Sequence, residues 1–210
     1  MTPTDDASAT RLLADYRQAG GYGSTIPEIF ERGPDSIAVI DVLAEWLIEL
    51  ETRWPGPETE GRGLARSTLS NALGGSKAAA RKSTKAVPAL ISQFDPNKEI
   101  NPYTRWAAGN AIYDIPAGIQ YFDQLAAIAA DRSFGMERQL VVNWLGKSQH
   151  PDAAAIAVAQ LDEEIVRGHA LEALARLRAQ GVSKQVEPFL SSKNKWWRRT
   201  AERIVRYDQG

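Results

Sequence analysis

The 210-residue sequence predicts an all-α fold made of repeated helix pairs, and three observations support this prediction. Apolar residues recur at three- and four-residue steps, which places them on one face of successive helices. A template of an arginine, a small apolar residue at plus three and a large apolar residue at plus seven occurs five times. No alternating β-branched run is bounded by a hairpin turn, so strands are not predicted.

Residues 1–60 fit the template poorly and predict an atypical N-terminal helical cap. Their apolar spacing predicts helices at 7–19, 25–32 and 36–52, separated by "GGYGS" and "RGPD". Terminal units of a repeat array need a polar outer face, which is a reason for an unusual first segment. We expect this cap to belong to the same domain as the repeats of residues 61–210.

The template defines the second helix of each predicted pair. With the arginine as position zero, the helices carry Arg66, Arg105, Arg138, Arg167 and Arg198, at spacings of 39, 33, 29 and 31 residues. The predicted first helices lie between them, at 85–94, 121–131, 152–161 and 183–191. The clearest second helix covers 163–181, with Asp162 as its predicted N-cap and Gly181 beyond its C-terminal end. Spacings near 30 residues are typical of repeated helix pairs.

The segment "LDEEIVRGHALEAL", from Leu161, resembles the second helix of a HEAT repeat, and the short period is similar to bacterial HEAT-like, phycobilin-lyase-type units. The resemblance covers roughly residues 60–207. It implies a right-handed α-solenoid, an armadillo-like superhelix of about five HEAT-like helix pairs, whose second helices line the concave surface. It also implies that Arg105, Arg138 and Arg167 contact acidic groups of the preceding turn and fix the stacking of the pairs.

Composition and charge indicate a cytoplasmic protein that does not associate with membranes. The formal net charge is −1, the pI is near 6.2 and cysteine is absent. The start "MTPTDDASAT" lacks the basic and apolar regions of a signal peptide, and Asp41 and Glu45 interrupt the most apolar segment. These values argue against disulfides and against a general attraction to nucleic acid or anionic lipid.

The sequence contains no recognisable catalytic or metal-binding motif. Its two histidines, His150 and His169, lack the spacing of metal ligands, and "GGSKAAARKSTK" at 74–85 lacks the spacing of a phosphate-binding loop. His169, Glu172 and Arg176 are expected on a solvated helix face with an ion pair between Glu172 and Arg176. We therefore expect no catalytic residue, no metal and no cofactor.

The candidate binding residues come from the side of the second helices opposite their apolar face. The plus-three, plus-six and plus-seven columns are predicted to be buried, which leaves the plus-one, plus-five and plus-eight columns on the opposite side. The plus-five column includes Asn71, Asn110 and Asn143; these amides are either recognition groups or ordinary surface asparagines. The candidates are taken from these columns, and Trp196 is added because it lies beside the C-terminal arginines. They are Trp106, Asn110, Tyr113, Gln139, Asn143, Glu172, Trp196, Arg199 and Arg203.

These residues favour a non-enzymatic binding or scaffold module that holds a protein or peptide on the concave surface. The alternative is a DNA-binding protein related to the DNA alkylation-repeat glycosylases, which the chain resembles in its repeats; Asp114, beside Tyr113 and near Trp106, is then the candidate catalytic aspartate. The basic segment "KNKWWRRTAERIVR", at 193–206, is the candidate contact for nucleic acid or an acidic protein, or else a solvated terminal helix. A phycobilin-lyase-like role follows from the repeat type alone.

Overall fold

Every regular element in the computed structural model of the protein, which describes residues 3–115 and 117–208, is a helix. The prediction of an all-α fold is therefore confirmed. The helices form two compact units, Met1–Ala117 and Gly118–Gly210. Within each unit, shorter first helices alternate with longer second helices that pack side by side, as in an α-solenoid.

The first unit contains the N-terminal helices and two of the template helices. Its helices are α1 (Pro3–Gln18), α2 (Ile26–Glu31), α3 (Ile37–Ile48), α4 (Leu50–Arg53), α5 (Glu60–Gly75), α6 (Lys77–Ala80), α7 (Ala86–Ile91) and α8 (Pro102–Asp114). A 3-10 turn at Ser92–Phe94 extends α7. The second helices α5 and α8 lie against each other, and α2 packs on α5.

The second unit contains the other three template helices. Its helices are α9 (Phe122–Ala130), α10 (Gln139–Ser148), α11 (Ala153–Val158), α12 (Arg167–Leu177), α13 (Ser183–Val186) and α14 (Lys195–Asp208). The second helices α10, α12 and α14 pack in that order. After α13 the chain continues as a 3-10 helix from Glu187, one residue before Pro188, because proline cannot donate the hydrogen bond that an α-helix requires.

Helix starts follow from capping side chains that the sequence supplies. Ser36 accepts a hydrogen bond from the backbone N–H of Val39 at 3.2 Å at the start of α3, and Asn101 accepts from the N–H of Tyr103 at 2.9 Å at the start of α8. Each cap satisfies an N–H that has no partner inside the helix. Pro102 occupies the first position of α8, where its missing N–H costs nothing.

The N-terminal helices are fixed to the rest of the first unit by polar contacts, of which those of Asp5 are buried. Asp5, which is 2% exposed, accepts hydrogen bonds from the indole Nε1 of Trp54 at 2.9 Å and from Oγ1 of Thr59 at 2.7 Å. Asp15 accepts from the indole Nε1 of Trp46 at 2.9 Å. Because a buried carboxylate without partners is costly, these contacts hold α1 in one position.

Four template arginines share one structural role. Each guanidinium donates to a backbone carbonyl at or just beyond the C-terminal end of the preceding first helix, where carbonyls lack partners inside the helix. The pairs are Arg105 Nε with Gln93 O, Arg167 Nε with Leu161 O and Arg198 Nη1 with Ser192 O, each at 2.9 Å, and Arg138 Nη1 with Ala129 O. This recurrence explains why the arginine marks each repeat.

Arg138 pairs with an acidic group, but that group is Glu163, 25 residues later in the chain, and not one of the preceding turn as expected; for Arg167 the expected contact is wrong. In the described part of the chain, Arg167 makes no ion pair and lies instead over the rings of Phe189 and Trp197, 5.8 and 5.5 Å from their centroids. Backbone carbonyls can satisfy a guanidinium without a carboxylate, so the template does not require one. Arg66, in the first repeat, pairs with Glu51 at 2.7 Å and Glu58 at 2.9 Å.

The core follows the predicted columns. All plus-three, plus-six and plus-seven residues of the template helices are buried except Val205, which is half-buried. The plus-one and plus-five columns keep partial or full exposure. The plus-eight column differs from the prediction, because Gly74, Gly146 and Ala175 are buried.

Close packing of the second helices explains this difference. A Cβ atom at Gly74 would lie 2.8 Å from Cα of Ala111, and a Cβ atom at Gly146 would lie 2.8 Å from Cα of Ala173. These two glycines therefore allow α5 to approach α8 and α10 to approach α12. The plus-eight position faces the next second helix at these places.

The helix predicted at 163–181 is shorter in the structure. Helix α12 begins at Arg167, its N-cap is Val166, and Arg178 ends it in the left-handed conformation with φ of 49°. The predicted cap, Asp162, instead accepts a hydrogen bond from Nη2 of Arg132 at 2.8 Å. The Asp162 side chain thus bonds to a residue 30 positions earlier in the chain. It does not cap the helix, although the local sequence predicts that it does.

Candidate functional site

In the first unit, one side of α5 and α8 carries the predicted aromatic and asparagine residues. We call this surface the first-unit face; it consists of Ser67, Asn71, Trp106, Asn110 and Tyr113. Steps of four and seven residues place its members on one side of each helix. Trp106 is 36% exposed, and the other four residues are half-buried.

Two exposed residues extend this face and were missed by the sequence reading. Tyr103 is 72% exposed and Leu64 is 46% exposed. Each lies three residues before a member of the face, so the same helical spacing could have found them upstream of the arginine. Between the starts of α5 and α8 lies a groove of about 380 Å³, which Leu64, Ser67 and Thr104 help to line.

The asparagines of the plus-five column have an unusual environment. In both Asn110 and Asn143, the amide oxygen Oδ1 is buried and has no hydrogen-bond donor. Among residues 3–115 and 117–208, Nε of Arg138 is the other buried side-chain atom without a partner. A buried acceptor without a donor costs about 1–3 kcal/mol. Stability therefore does not explain why the two repeats have this residue at the equivalent position.

In the second unit, the predicted residues lie along α10, α12 and α14. We call this surface the second-unit face; it consists of Gln139, Asn143, Glu172, Trp196, Arg199 and Arg203. The amide of Gln139 is engaged, because Nε2 donates to the backbone carbonyl of Ile165 at 2.9 Å. Glu172 links two helices through Nη2 of Arg203 at 3.3 Å, and its predicted ion pair with Arg176 has an N–O distance of 4.0 Å.

The two adjacent tryptophans of α14 point in different directions, as their spacing requires. Trp196 is 47% exposed, and its ring lies against Gly168 of α12, where a Cβ atom would be 2.8 Å from Cζ3. Trp197 is half-buried and meets Phe189 edge-on, with 6.4 Å between the ring centroids. Trp196 is therefore the more exposed of the two, although Nε1 of Trp197 would also lie 2.8 Å from a Cβ atom at Gly168.

A second groove of about 800 Å³ lies in the second unit near the starts of α12 and α14. Arg167, Phe189 and Trp197 line it, together with Asp162 and Pro188. The guanidinium of Arg167 is held by the carbonyls of Leu161 and Asp162. The template does not predict this groove, because lining residues such as Asp162 and Pro188 lie outside the template helices.

The residues considered for catalysis have other contacts. Asp114 lies 3.3 Å from Nζ of Lys77. His150 stacks on Phe122 with 3.6 Å between ring centroids, and His169 is half-buried, so the expectation of a fully solvated face is wrong there. Burial lowers the pKa of His169, and the nearby carboxylate of Glu172 opposes that shift.

The described residues show neither a metal site nor a membrane-spanning helix. No group of three or more histidine, aspartate or glutamate side chains is arranged to hold a metal ion there. No helix in 3–115 or 117–208 combines the length and the apolar character needed to cross a membrane.

Comparison with known proteins identifies the fold and no family. No protein-family model and no curated protein matches the sequence. An engineered protein solved by a structural genomics consortium is similar over 100% of this chain and 56% of its own, with 15% identity and a TM-score of 0.63. A designed armadillo repeat protein is similar over 87% of this chain and 99% of its own, with 16% identity and a TM-score of 0.55.

This chain thus spans 56%, about half, of the engineered protein it matches. At these identities the two structures show the fold alone, an α-solenoid of the armadillo-like repeat type. The resemblance seen in the sequence is confirmed at the level of helical repeats, and the comparisons add nothing specific to the HEAT family.

Proposed function

We propose that this protein is a non-enzymatic binding module that holds a protein or peptide partner on the first-unit and second-unit faces. The observation that carries the proposal is the unpaired Oδ1 of Asn110 and of Asn143. A position that costs stability in two repeats is typical of a residue retained for binding. Turning the amide plane over would bring Oδ1 to the surface, where a peptide N–H of the partner would supply the donor that it lacks in the buried position.

An extended segment of the partner suits these amides. An asparagine side chain both donates and accepts, as a peptide group does, and rotation of its amide plane exchanges Oδ1 and Nδ2. It can therefore bond to the N–H and C=O of one extended residue whatever that residue's side chain is. Asn110 and Asn143 each offer this contact in their own unit.

Exposed aromatic residues beside the amides supply apolar contact area. Tyr103 and Trp106 lie one helical turn apart on α8 and are 72% and 36% exposed, and Trp196 is 47% exposed on α14. Tryptophan and tyrosine are enriched among residues that dominate binding energy at protein interfaces. These rings would anchor side chains of a segment whose backbone the amides hold.

The DNA-repair alternative has less support. Its candidate aspartate, Asp114, has 46% side-chain exposure and is paired with Lys77. A net charge of −1 provides no general attraction to a phosphate backbone. Binding of a DNA duplex in preference to any peptide would favour this alternative.

The proposal can be tested by selecting partners from a displayed library of random peptides of about twelve residues and measuring Kd with the variants Asn110→Ala and Asn143→Ala. We expect at least one variant to bind the selected peptide about 5- to 30-fold more weakly, the loss of one or two hydrogen bonds. Both variants should keep or gain stability, by up to about 1 kcal/mol, because alanine is the better helix former and the unpaired oxygen is gone.

Asn97→Ala is the matched control, because Asn97 is exposed in the loop before α8 and its amide bonds to Asp95 at 3.0 Å. This variant should bind normally. If Asn110→Ala and Asn143→Ala instead lost more than about 1 kcal/mol of stability while Kd stayed unchanged, the asparagines would be structural and the proposal would fail.

A further inference from the structure

Basic residues follow one side of α14. Lys195, Arg199, Arg203 and Arg206 are separated by four, four and three residues, which places them along one stripe of the helix surface. We call these four residues the basic face of α14. All four are exposed.

Three residues of this face have no partner among the described residues. Lys195, Arg199 and Arg206 form no ion pair and no side-chain hydrogen bond with any residue of 3–115 or 117–208. Arg203 is the exception, because its Nη2 lies 3.3 Å from Oε2 of Glu172. Since Arg176 also approaches that carboxylate at 4.0 Å, Glu172 cannot balance the charge of the face.

The stability of α14 does not account for this arrangement. Like charges three and four residues apart repel one another on a helix surface. Lys195 and Arg199 also lie near the N-terminal end of α14, where the helix dipole disfavours cations. The dipole favours Arg206 in the last turn, but the repulsion along the stripe and the position of Lys195 and Arg199 are better explained by a ligand of opposite charge.

The geometry of the face fits an extended acidic peptide. Successive basic residues are about 4.5 to 6 Å apart along the helix axis. Alternate side chains of an extended peptide are about 6.6 to 7 Å apart, so carboxylates at alternate positions would meet successive guanidinium groups. Guanidinium binds carboxylate through two parallel hydrogen bonds, which favours arginine at such contacts.

Trp196 adds an apolar element to the same site. Its exposed ring lies three residues before Arg199 and seven before Arg203, on the adjoining side of the helix. An aromatic or aliphatic side chain next to the acidic residues would pack on it. The ligand is therefore acidic and apolar together.

Nucleic acid fits this surface less well. The carboxylate of Glu172 lies within the second-unit face, and a peptide can place an uncharged residue opposite it, whereas every nucleotide carries a phosphate. The protein as a whole has a net charge of −1, so it provides no general attraction to a phosphate backbone.

We propose, building on the function proposed above, that the basic face of α14 with Trp196 binds an extended acidic segment of a partner protein. The segment has aspartate or glutamate at alternate positions and an aromatic or aliphatic residue beside them. Backbone contacts to Asn143 hold such a segment in the second unit, and the basic face selects its sequence.

The test uses the full chain, the same random peptide library and a DNA duplex of about 20 base pairs as probes. The variant Arg199→Glu with Arg206→Glu reverses two exposed charges of the basic face. The control Lys82→Glu with Lys184→Glu makes the same change in net charge at two exposed lysines elsewhere. Thermal melting followed by circular dichroism verifies that both variants are folded.

We expect peptides selected by the wild-type protein to be enriched in acidic and aromatic residues. They should bind the arginine-reversal variant about tenfold more weakly or worse, and bind the lysine control within about twofold of wild type. Their affinity should also fall as salt concentration rises, because the contacts are between exposed charges.

Three results would overturn the inference. Selection of neutral peptides that bind the reversal variant normally but depend on Asn143 would leave the proposed function standing without an acidic ligand. Acidic peptides that tolerate the reversal would place their site elsewhere. A duplex that binds more tightly than the peptides and is lost on reversal would identify nucleic acid as the ligand.

Discussion

At the scale of single residues, His169 is a half-buried side chain on α12 whose pKa is lowered by burial. It lies three residues before Glu172 on α12 and is half-buried. Burial lowers its pKa because the charged imidazolium loses hydration, and the carboxylate of Glu172 offsets part of this shift.

This environment predicts how stability depends on pH. The unfolded chain takes up a proton on histidine near its ordinary pKa, about 6.5, whereas the folded state takes it up only at lower pH. The contribution of His169 is therefore fully present above pH 6.5 and is lost as pH falls toward the folded pKa.

We expect the free energy of unfolding in urea to drop between about pH 7.5 and about pH 5.5, and His169→Gln to reduce that drop. Carboxylates contribute equally to both proteins, so the difference between them isolates the histidine. An equal drop in wild type and variant would show that His169 is solvated in the folded state.

The buried residues of the template helices can be predicted from the sequence. The template assigned the buried columns correctly from spacing alone, because a helix repeats every 3.6 residues whatever its surroundings. It could not detect that Gly74 and Gly146 face a neighbouring helix, since the distance between two helices is a tertiary property. The template does not include Tyr103, because it begins at Arg105, two residues later.

At the scale of elements, the approach of α5 to α8 depends on Gly74. We predict that Gly74→Ala destabilises the protein by about 1–3 kcal/mol, because the new Cβ would lie 2.8 Å from the backbone of Ala111. Urea unfolding measures the change.

Gly75→Ala serves as the adjacent control. Its Cβ would meet Cε2 of Phe30 at an ordinary 3.6 Å, and alanine is the better helix former, so stability should stay the same or rise by about 1 kcal/mol. Equal effects at the two glycines would mean that α5 and α8 are farther apart than described.

The capping of first helices by template arginines leads to another prediction. Arg138 is fully buried, donates to the carbonyl of Ala129 and to Oε1 of Gln160, and pairs with Glu163. We expect Arg138→Ala to lower the free energy of unfolding by about 3 kcal/mol or more, because polar groups would lose a buried partner.

Arg199→Ala removes an exposed arginine that has no partner in 3–115 or 117–208 and should change stability by less than about 0.5 kcal/mol. The comparison separates arginines that build the repeat from those that face a ligand. A small loss at Arg138 would contradict the capping role.

The boundaries of a helix are harder to predict from sequence than the presence of the helix. The apolar stripe of α12 was evident, but its start was placed four residues too early, since the candidate cap Asp162 bonds to Arg132 in the structure. Conversely, local caps such as Ser36 and Asn101 act within their own helices, where sequence spacing is sufficient information.

At the scale of the whole molecule, the chain consists of two compact units of helical repeats, and the N-terminal helices belong to the first. We propose that α1 to α4 act as the terminal cap of the array, as the sequence suggested. Their support is the buried Asp5, which joins α1 to Trp54 and Thr59 and closes the apolar end of the unit. A free apolar edge would expose the array to aggregation.

The molecule as a whole could be recognised as a helical repeat protein from its sequence because the repeat is periodic. Its ligand could not, since the unpaired oxygens of Asn110 and Asn143 become evident only when the surrounding helices are in place. The plus-five column of the template identifies these asparagines as candidates. The structure adds that Oδ1 of each is buried without a hydrogen-bond donor, which is the observation that supports the proposed binding role.

The measurement that tests this most directly is an NMR study of the protein with a selected peptide, recording nuclear Overhauser contacts from the side-chain amides of Asn110 and Asn143. We predict contacts between at least one of these amides and backbone N–H or Hα protons of the bound peptide. A peptide that binds but gives its contacts only on first helices or loops, with both asparagine amides unshifted, would contradict the proposed binding faces.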